Sequence, residues 1–225
     1  MKLKPPTCSV SVCFTALLFA VSSLFADQKP ALSAECDLFR LSIGKDARTV
    51  EFFDKTAHTN YCGSTPSVAF ALVKKGGKLF SATKAELTQG ALTLDFPEAH
   101  VGVTLKIAGE PQCVTVEVLA VAGEGVEECT FVHIPLALKG VSDGPFAACA
   151  LALNLQANVR KLPGPTNLLE ASCYPRFGFA GAKVALVGCP QQDLRRVMQA
   201  VVGSAPDLPH SPIGGPWAAD AEINR

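Results

Sequence analysis

From residue 37 to residue 138, apolar and polar side chains alternate with a period of two, the pattern of a strand with one face in a core and the other in water. Phe39, Leu41 and Ile43 alternate with Arg40 and Ser42. A turn follows at Gly44 to Ala47, and Val50 and Phe52 then flank Glu51, which predicts a hairpin. Val68, Phe70 and Leu72 predict a strand that enters a reversal at Lys74-Lys75-Gly76-Gly77, where glycine supplies the positive φ. The same alternation places Leu92, Leu94 and Phe96 on one face, then Val101, Val103, Leu105 and Ile107, then Val114, Val116 and Val118, then Val132, Ile134 and Leu136. Turn clusters such as 108–112 and 122–127 separate these runs at a spacing typical of sandwiches. Antiparallel sheets packed face to face are expected.

Past residue 145 the texture changes. Phe146 to Leu155 is nearly all apolar and fits either a strand covered on both faces or a short helix. Residues 156–167 read as a loop, because Pro163-Gly164-Pro165 removes donors and bends the chain. Lys183 to Val187 reads as a buried strand leading through Gly188-Cys189 into a helix, with Pro190 at the first helical position. Leu194, Val197, Met198, Val201 and Val202 share one face of that helix, and Gly203 is expected to end it. Residues 204–225, with four prolines and two glycines, read as a linker or tail. The predicted fold is therefore mainly β, an antiparallel β-sandwich over residues 27–203 closed by one C-terminal α-helix.

Residues 1–26 stand apart. Lys2 and Lys4 precede an uncharged run from 10 to 26, the layout of a secretory signal peptide. The expected location is secreted or periplasmic, with no membrane attachment after cleavage. Twenty basic side chains balance twenty acidic ones, so the chain has no net positive field to draw nucleic acid or an anionic membrane surface. Of nine cysteines, Cys8 and Cys13 belong to the leader. The others, Cys36, Cys62, Cys113, Cys129, Cys149, Cys173 and Cys189, are odd in number and widely spaced. At least one stays unpaired or pairs with another chain, and several read as buried small hydrophobes. No C-x-x-C occurs, and His58, His100, His133 and His210 are scattered, so neither a metal nor a cofactor is predicted.

Motifs for catalysis are sparse. The chain has no G-x-S-x-G, H-E-x-x-H, P-loop or G-x-G-x-x-G. Ser81 and Lys84 match S-x-x-K, but in a strand-and-turn context without the partner motifs. Asp54, Asp95, Glu98, Glu117 and Glu170 are the carboxylates from which a glycosidase pair, about 5–9.5 Å apart, would be drawn. Most sit where a strand faces water, so no catalytic residue is assigned. Sugar recognition uses flat aromatic faces, and Trp217, Tyr61 and Tyr174 are the candidates. Trp217, beside His210 in the Pro/Gly-rich tail, is the predicted ligand-binding pair; the competing reading docks the indole onto its own or a neighbouring domain.

The segment 37–61, DLFRLSIGKDARTVEFFDKTAHTNY, resembles the opening hairpin of the N-terminal galactose-mutarotase-like β-sandwich that precedes the catalytic barrel in many large secreted glycoside hydrolases. The alternating strands to Leu138 are similar to the same sandwich. The closing GAKVALVGCPQQDLRRVMQAVVG and LPHSPIGGPWA resemble the strand, helix and connector that lead to the barrel. The likeness covers most of residues 37–217 through turn and alternation patterns. It implies an accessory domain whose partner is carbohydrate or a neighbouring catalytic domain, in a chain that stops where a barrel would begin. The family's catalytic carboxylates belong to the barrel, so none is carried over. Two other readings stand beside it: a small secreted glycoside-active enzyme using carboxylates on the sandwich face, and a cell-envelope structural or interaction protein.

Overall fold

The computed structural model describes residues 29–62, 68–139, 144–161 and 164–208. The predicted leader, and the segment from 209 onward with His210 and Trp217, lie outside them. Over the described residues the protein is mainly β, every strand pair is antiparallel, and one α-helix closes the chain.

The first sheet holds β1 (Leu32–Glu35), β2 (Phe39–Ile43), β3 (Thr49–Asp54) and β4 (Thr59–Asn60) in chain order. The predicted hairpin is β2–β3, and Phe39, Leu41, Ile43 and Phe52 are fully shielded. Val50 departs from expectation and is exposed. A register shift between Ser42 and Ile43 pairs Ile43 with Thr49, and the extra residue turns the valine outward.

The second sheet has the order β13-β11-β5-β6, with β5 (Leu72–Lys75), β6 (Lys78–Ser81), β11 (Val126–Pro135) and β13 (Leu168–Cys173). Gly76 and Gly77, at φ 57° and 74°, close the β5–β6 hairpin as the sequence predicts. The strand predicted over 68–72 begins later. Of that stretch only Ala69 makes a bridge, to Arg48, before β5 starts at Leu72; Phe70 is fully shielded as expected, and within β5 the fully shielded residue is Val73.

The third sheet has the order β12-β14-β10-β9-β8-β7, with β7 (Lys84–Thr88), β8 (Ala91–Phe96), β9 (Val101–Gly109), β10 (Val114–Ala122), β12 (Phe146–Ala152) and β14 (Lys183–Pro190). The alternating residues of β8, β9 and β10 point inward as predicted. All three sheets contribute to one apolar core, where Phe39, Phe52, Phe70 and Phe131 are fully shielded. Each such side chain contributes about 1.5–3 kcal/mol through burial.

The apolar run from Phe146 is a strand, and both its faces are covered. Phe146, Ala148 and Ala150 join the common core with Val184 and Leu186 of β14. Ala147, Cys149 and Leu151 face the other way with Ala185, Val187 and Cys189, and pack on Leu194, Val197 and Val201 of α1 (Leu194–Gly203). Met198 and Val202 lie at the margin of that contact, so the predicted helical stripe holds. Its ends differ from expectation. Pro190 is still extended, at ψ 136°, because Phe146 pairs with it in register, and a 3₁₀ turn at Gln191–Asp193 precedes the helix. Gly203 is itself helical; the stop comes at Ser204, whose hydroxyl donates to the Val201 carbonyl.

Candidate functional site

A cleft of about 580 Å³ opens at the C-terminal end of α1. Thr115 of β10 and Lys183 of β14 form its sheet side, Ala200, Val201 and Ser204 its helix side, and Glu110 to Cys113 its rim. Ala205, Pro206 and Asp207 complete the wall. Hydrophobic surface dominates the lining, with Lys183, Glu110 and Asp207 as charges of both signs. Lys183 is placed by its strand: its amide donates to Asn154 Oδ1 at 3.4 Å and its carbonyl accepts from Leu153 at 3.0 Å. Glu117 is its Cα partner across the ladder. An apolar floor with a few polar groups is the common form of a small-ligand site.

The cleft's thiol is inert. Burial pushes Cys113 up to about 11, with the neighbouring Cys36 and Glu110 acting in the same direction and Lys183 against them, so it stays protonated near neutral pH. Burial likewise lifts Cys149 and Cys62 to about 12 and Cys189 to about 11. None of these is a poised nucleophile.

A second polar constellation lies on the outward face of β11 and β13. The bridge between Asn158 and Ser172 carries the loop along the free edge of β13, which brings Arg160 over the sheet. Its guanidinium contacts Glu128 Oε1 at 2.6 Å and Glu170 Oε1 at 3.0 Å. Tyr174 OH donates to Glu128 at 3.4 Å and accepts from Asn158 at 3.3 Å. Thr130 and Ser172 hydroxyls meet at 2.8 Å beneath them. Burial pushes the Glu128 carboxyl up, but the hydrogen bonds from Ser172, Arg160 and Tyr174 and the Arg160 charge outweigh it and hold the group below the usual carboxylate range. Glu51 is also held low, by its hydrogen bond from Arg40 against its own burial. A general acid needs the opposite shift. His133, Cα partner of Glu170, keeps its Nδ1 buried without a hydrogen-bond partner among the described residues.

Of the residues singled out from sequence, Glu170 alone enters a carboxylate pair, and its companion Glu128 was not foreseen. Only the bridge at Asn158 and the β11–β13 register join them, and neither leaves a periodic trace. Asp54 instead accepts backbone N–H groups from Thr56 and Ala57 in a turn. Asp95 and Glu117 lie on separate strands of the six-stranded sheet, and Glu98 follows β8 in a short turn. Ser81 is exposed, while Lys84 pairs with Glu86 at 3.1 Å. Tyr61 stacks on Phe146 at 4.7 Å beside a smaller cavity of about 280 Å³, and Tyr174 serves the ionic cluster. His210 and Trp217 fall outside the described residues. Among the described residues no group of His, Cys, Asp and Glu is arranged to hold a metal, and no helix is long and apolar enough to cross a membrane.

Comparison with family models, with curated proteins and with solved structures finds no match.

Proposed function

We propose that the chain is an exported accessory β-sandwich of the galactose-mutarotase-like kind, without turnover of its own, that holds a neutral carbohydrate in the cleft beside α1. The observation that carries this reading is the cleft itself: an apolar floor, a few polar groups of both signs, and a Cys113 thiol that burial keeps protonated. Antiparallel sheets sharing one core support the sandwich. Glu128 and Glu170 share the single guanidinium of Arg160, an arrangement that suits a structural clamp better than proton transfer. Zero net charge fits an uncharged ligand. A neighbouring catalytic domain is the other partner that this reading allows.

The test is binding and turnover measured on one preparation. On a glycan array the full chain retains a neutral glycan, and Lys183→Ala weakens retention about tenfold, the loss of one hydrogen bond to a charged group. Trp217→Ala reports whether the tail takes part. On a glycoside panel no hydrolysis appears. Hydrolysis abolished by Glu170→Gln or Glu128→Gln would replace the accessory reading with an enzyme. Glycan binding indifferent to Lys183→Ala would move the site elsewhere.

A further inference from the structure

Two cysteines occupy directly opposed positions. Cys129 of β11 and Cys173 of β13 are Cα partners in the antiparallel register. Both belong to the common core and have no exposed surface. Opposed residues of an antiparallel pair have Cα atoms about 4.5 or 5.5 Å apart. Either value falls within the range of about 4.4–6.8 Å that a disulfide spans. The two thiols are in hydrogen-bond contact, and Cys173 Sγ also donates to the Cys129 carbonyl at 3.6 Å. Both thiols are free in this structure. No comparable register joins the cysteines of the helix-covered cluster: Cys189 lies opposite Ala147 and Cys149 opposite Val187, which makes them diagonal neighbours about 7–8 Å apart.

We propose that Cys129 and Cys173 are a disulfide-forming pair that joins β11 to β13 inside the core. The proposal rests on the export reading only for the oxidant, which is the disulfide of a thiol oxidoreductase or of oxidised glutathione. One cysteine thiolate attacks that disulfide and releases the first small thiol, leaving a mixed disulfide. The second cysteine attacks the mixed disulfide at the protein sulfur and releases the second thiol. Two electrons and two protons pass from the cysteines to the oxidant, and one protein S–S bond forms. Exchange needs an accessible thiolate, whereas in the folded chain the Cys173 thiol and burial hold Cys129 protonated. The bond therefore forms before the two strands close over it, and afterwards the core shields it from reductants.

The full chain, reduced and denatured, is refolded in a glutathione redox buffer, alkylated, and digested without reduction. A peptide joining Cys129 to Cys173 is expected; finding both alkylated, or either joined to another cysteine, overturns the proposal. Cys129→Ala, Cys173→Ala and the double variant are then melted with and without reductant. The bond closes a span of 44 residues, so each variant should lose a reductant-sensitive Tm increment of about 10 °C, the same in all three. Increments that add in the double variant overturn the pairing. If the variants do not fold, reductant sensitivity of the unsubstituted chain decides, and a Tm indifferent to reductant applied during unfolding overturns it. A chain purified from whole cells of its host separates the two readings. The linked peptide there supports both, while a linked peptide after refolding with free thiols in the cell-derived chain upholds the pairing and refutes export.

Discussion

The two halves of the six-stranded sheet share one backbone arrangement and differ in what covers them. In β8, β9 and β10 the inward side chains are buried and those between them, such as Thr93, Thr104 and Lys106, face water. In β12 and β14 the helix α1 lies over the second face, and nearly every residue is buried. The number of covered faces sets the sequence period: one gives alternation, two give a continuous apolar run. The candidate cleft opens where the cover ends, between Thr115 on the uncovered side and Ala200 and Ser204 at the end of α1. A binding site at that step needs no special residue, because the end of a helix leaves apolar sheet surface beside polar sheet surface.

The sharpest test places the same charge in both halves. Val187→Lys buries an ammonium between sheet and helix and should cost about 4 kcal/mol or more, enough to unfold much of the protein. Thr104→Lys, on the open face, should stay within about 0.5 kcal/mol. Urea midpoints measured on both variants decide; similar losses would mean that α1 does not cover β14 in solution. Next in size is Leu194→Ala, which removes the first helix side chain from the contact and should cost about 2–4 kcal/mol. Leu119→Ala, exposed on β10, should cost little by comparison.

Glycines give a finer version. A Cβ on Gly188 of β14 would lie 2.8 Å from the Phe52 ring and 3.0 Å from the Phe146 ring, too close for either ring to stay where it is. Gly188→Ala should therefore cost about 1–3 kcal/mol. Gly102 of β9 has nothing within 4 Å of the same position. Gly102→Ala should be neutral or stabilise by about 0.4–1 kcal/mol, through a less disordered unfolded chain. A larger loss at Gly102 than at Gly188 would mean that the outer face of β9 is covered rather than open.

Much of this was legible because one-sided burial writes itself into alternation. The inward residues of β2, β8, β9 and β10 could be named one by one. What escaped has a physical reason in each case. The β6 strand, Lys-Leu-Phe-Ser, is an exposed edge, so no core selects its side chains. The β13 strand, Leu-Leu-Glu-Ala-Ser-Cys, buries small polar groups that pair with each other, and Ser172 does not look like a core residue until Thr130 is opposite it. Val50 was misplaced by a bulge, which shifts register without changing composition. The helix was found from its stripe, yet both ends were misread. Pro190 and Gly203 carry their usual terminal meanings only where tertiary pairing permits, and β12 holds Pro190 in the sheet. The cleft had no sequence signal at all, because its walls come from three elements distant along the chain.

The outward face of β11 and β13 is a third kind of cover, ionic rather than apolar, and pH separates it from α1. Glu128 has a folded-state affinity for protons below that of an unfolded glutamate. Its stabilisation is therefore complete above the ordinary glutamate range, about pH 4.3, and is lost as pH falls through the lower folded value. Arg160→Ala should weaken that dependence, leaving the part that the Ser172 and Tyr174 hydrogen bonds sustain, while Leu194→Ala should lower stability equally at every pH. The expected size is small, about 1 kcal/mol or less at neutral pH, because the Arg160 side chain is 54% exposed and solvent screens the pair. Glu51 is lost in the same window, so the quantity to follow is the difference between the unsubstituted chain and Arg160→Ala, measured by urea midpoints from pH 7 to pH 3. That difference should shrink towards zero on acidification. If it persists at pH 3, Arg160 covers the strand pair through its aliphatic stem, and both covers of this fold are apolar after all.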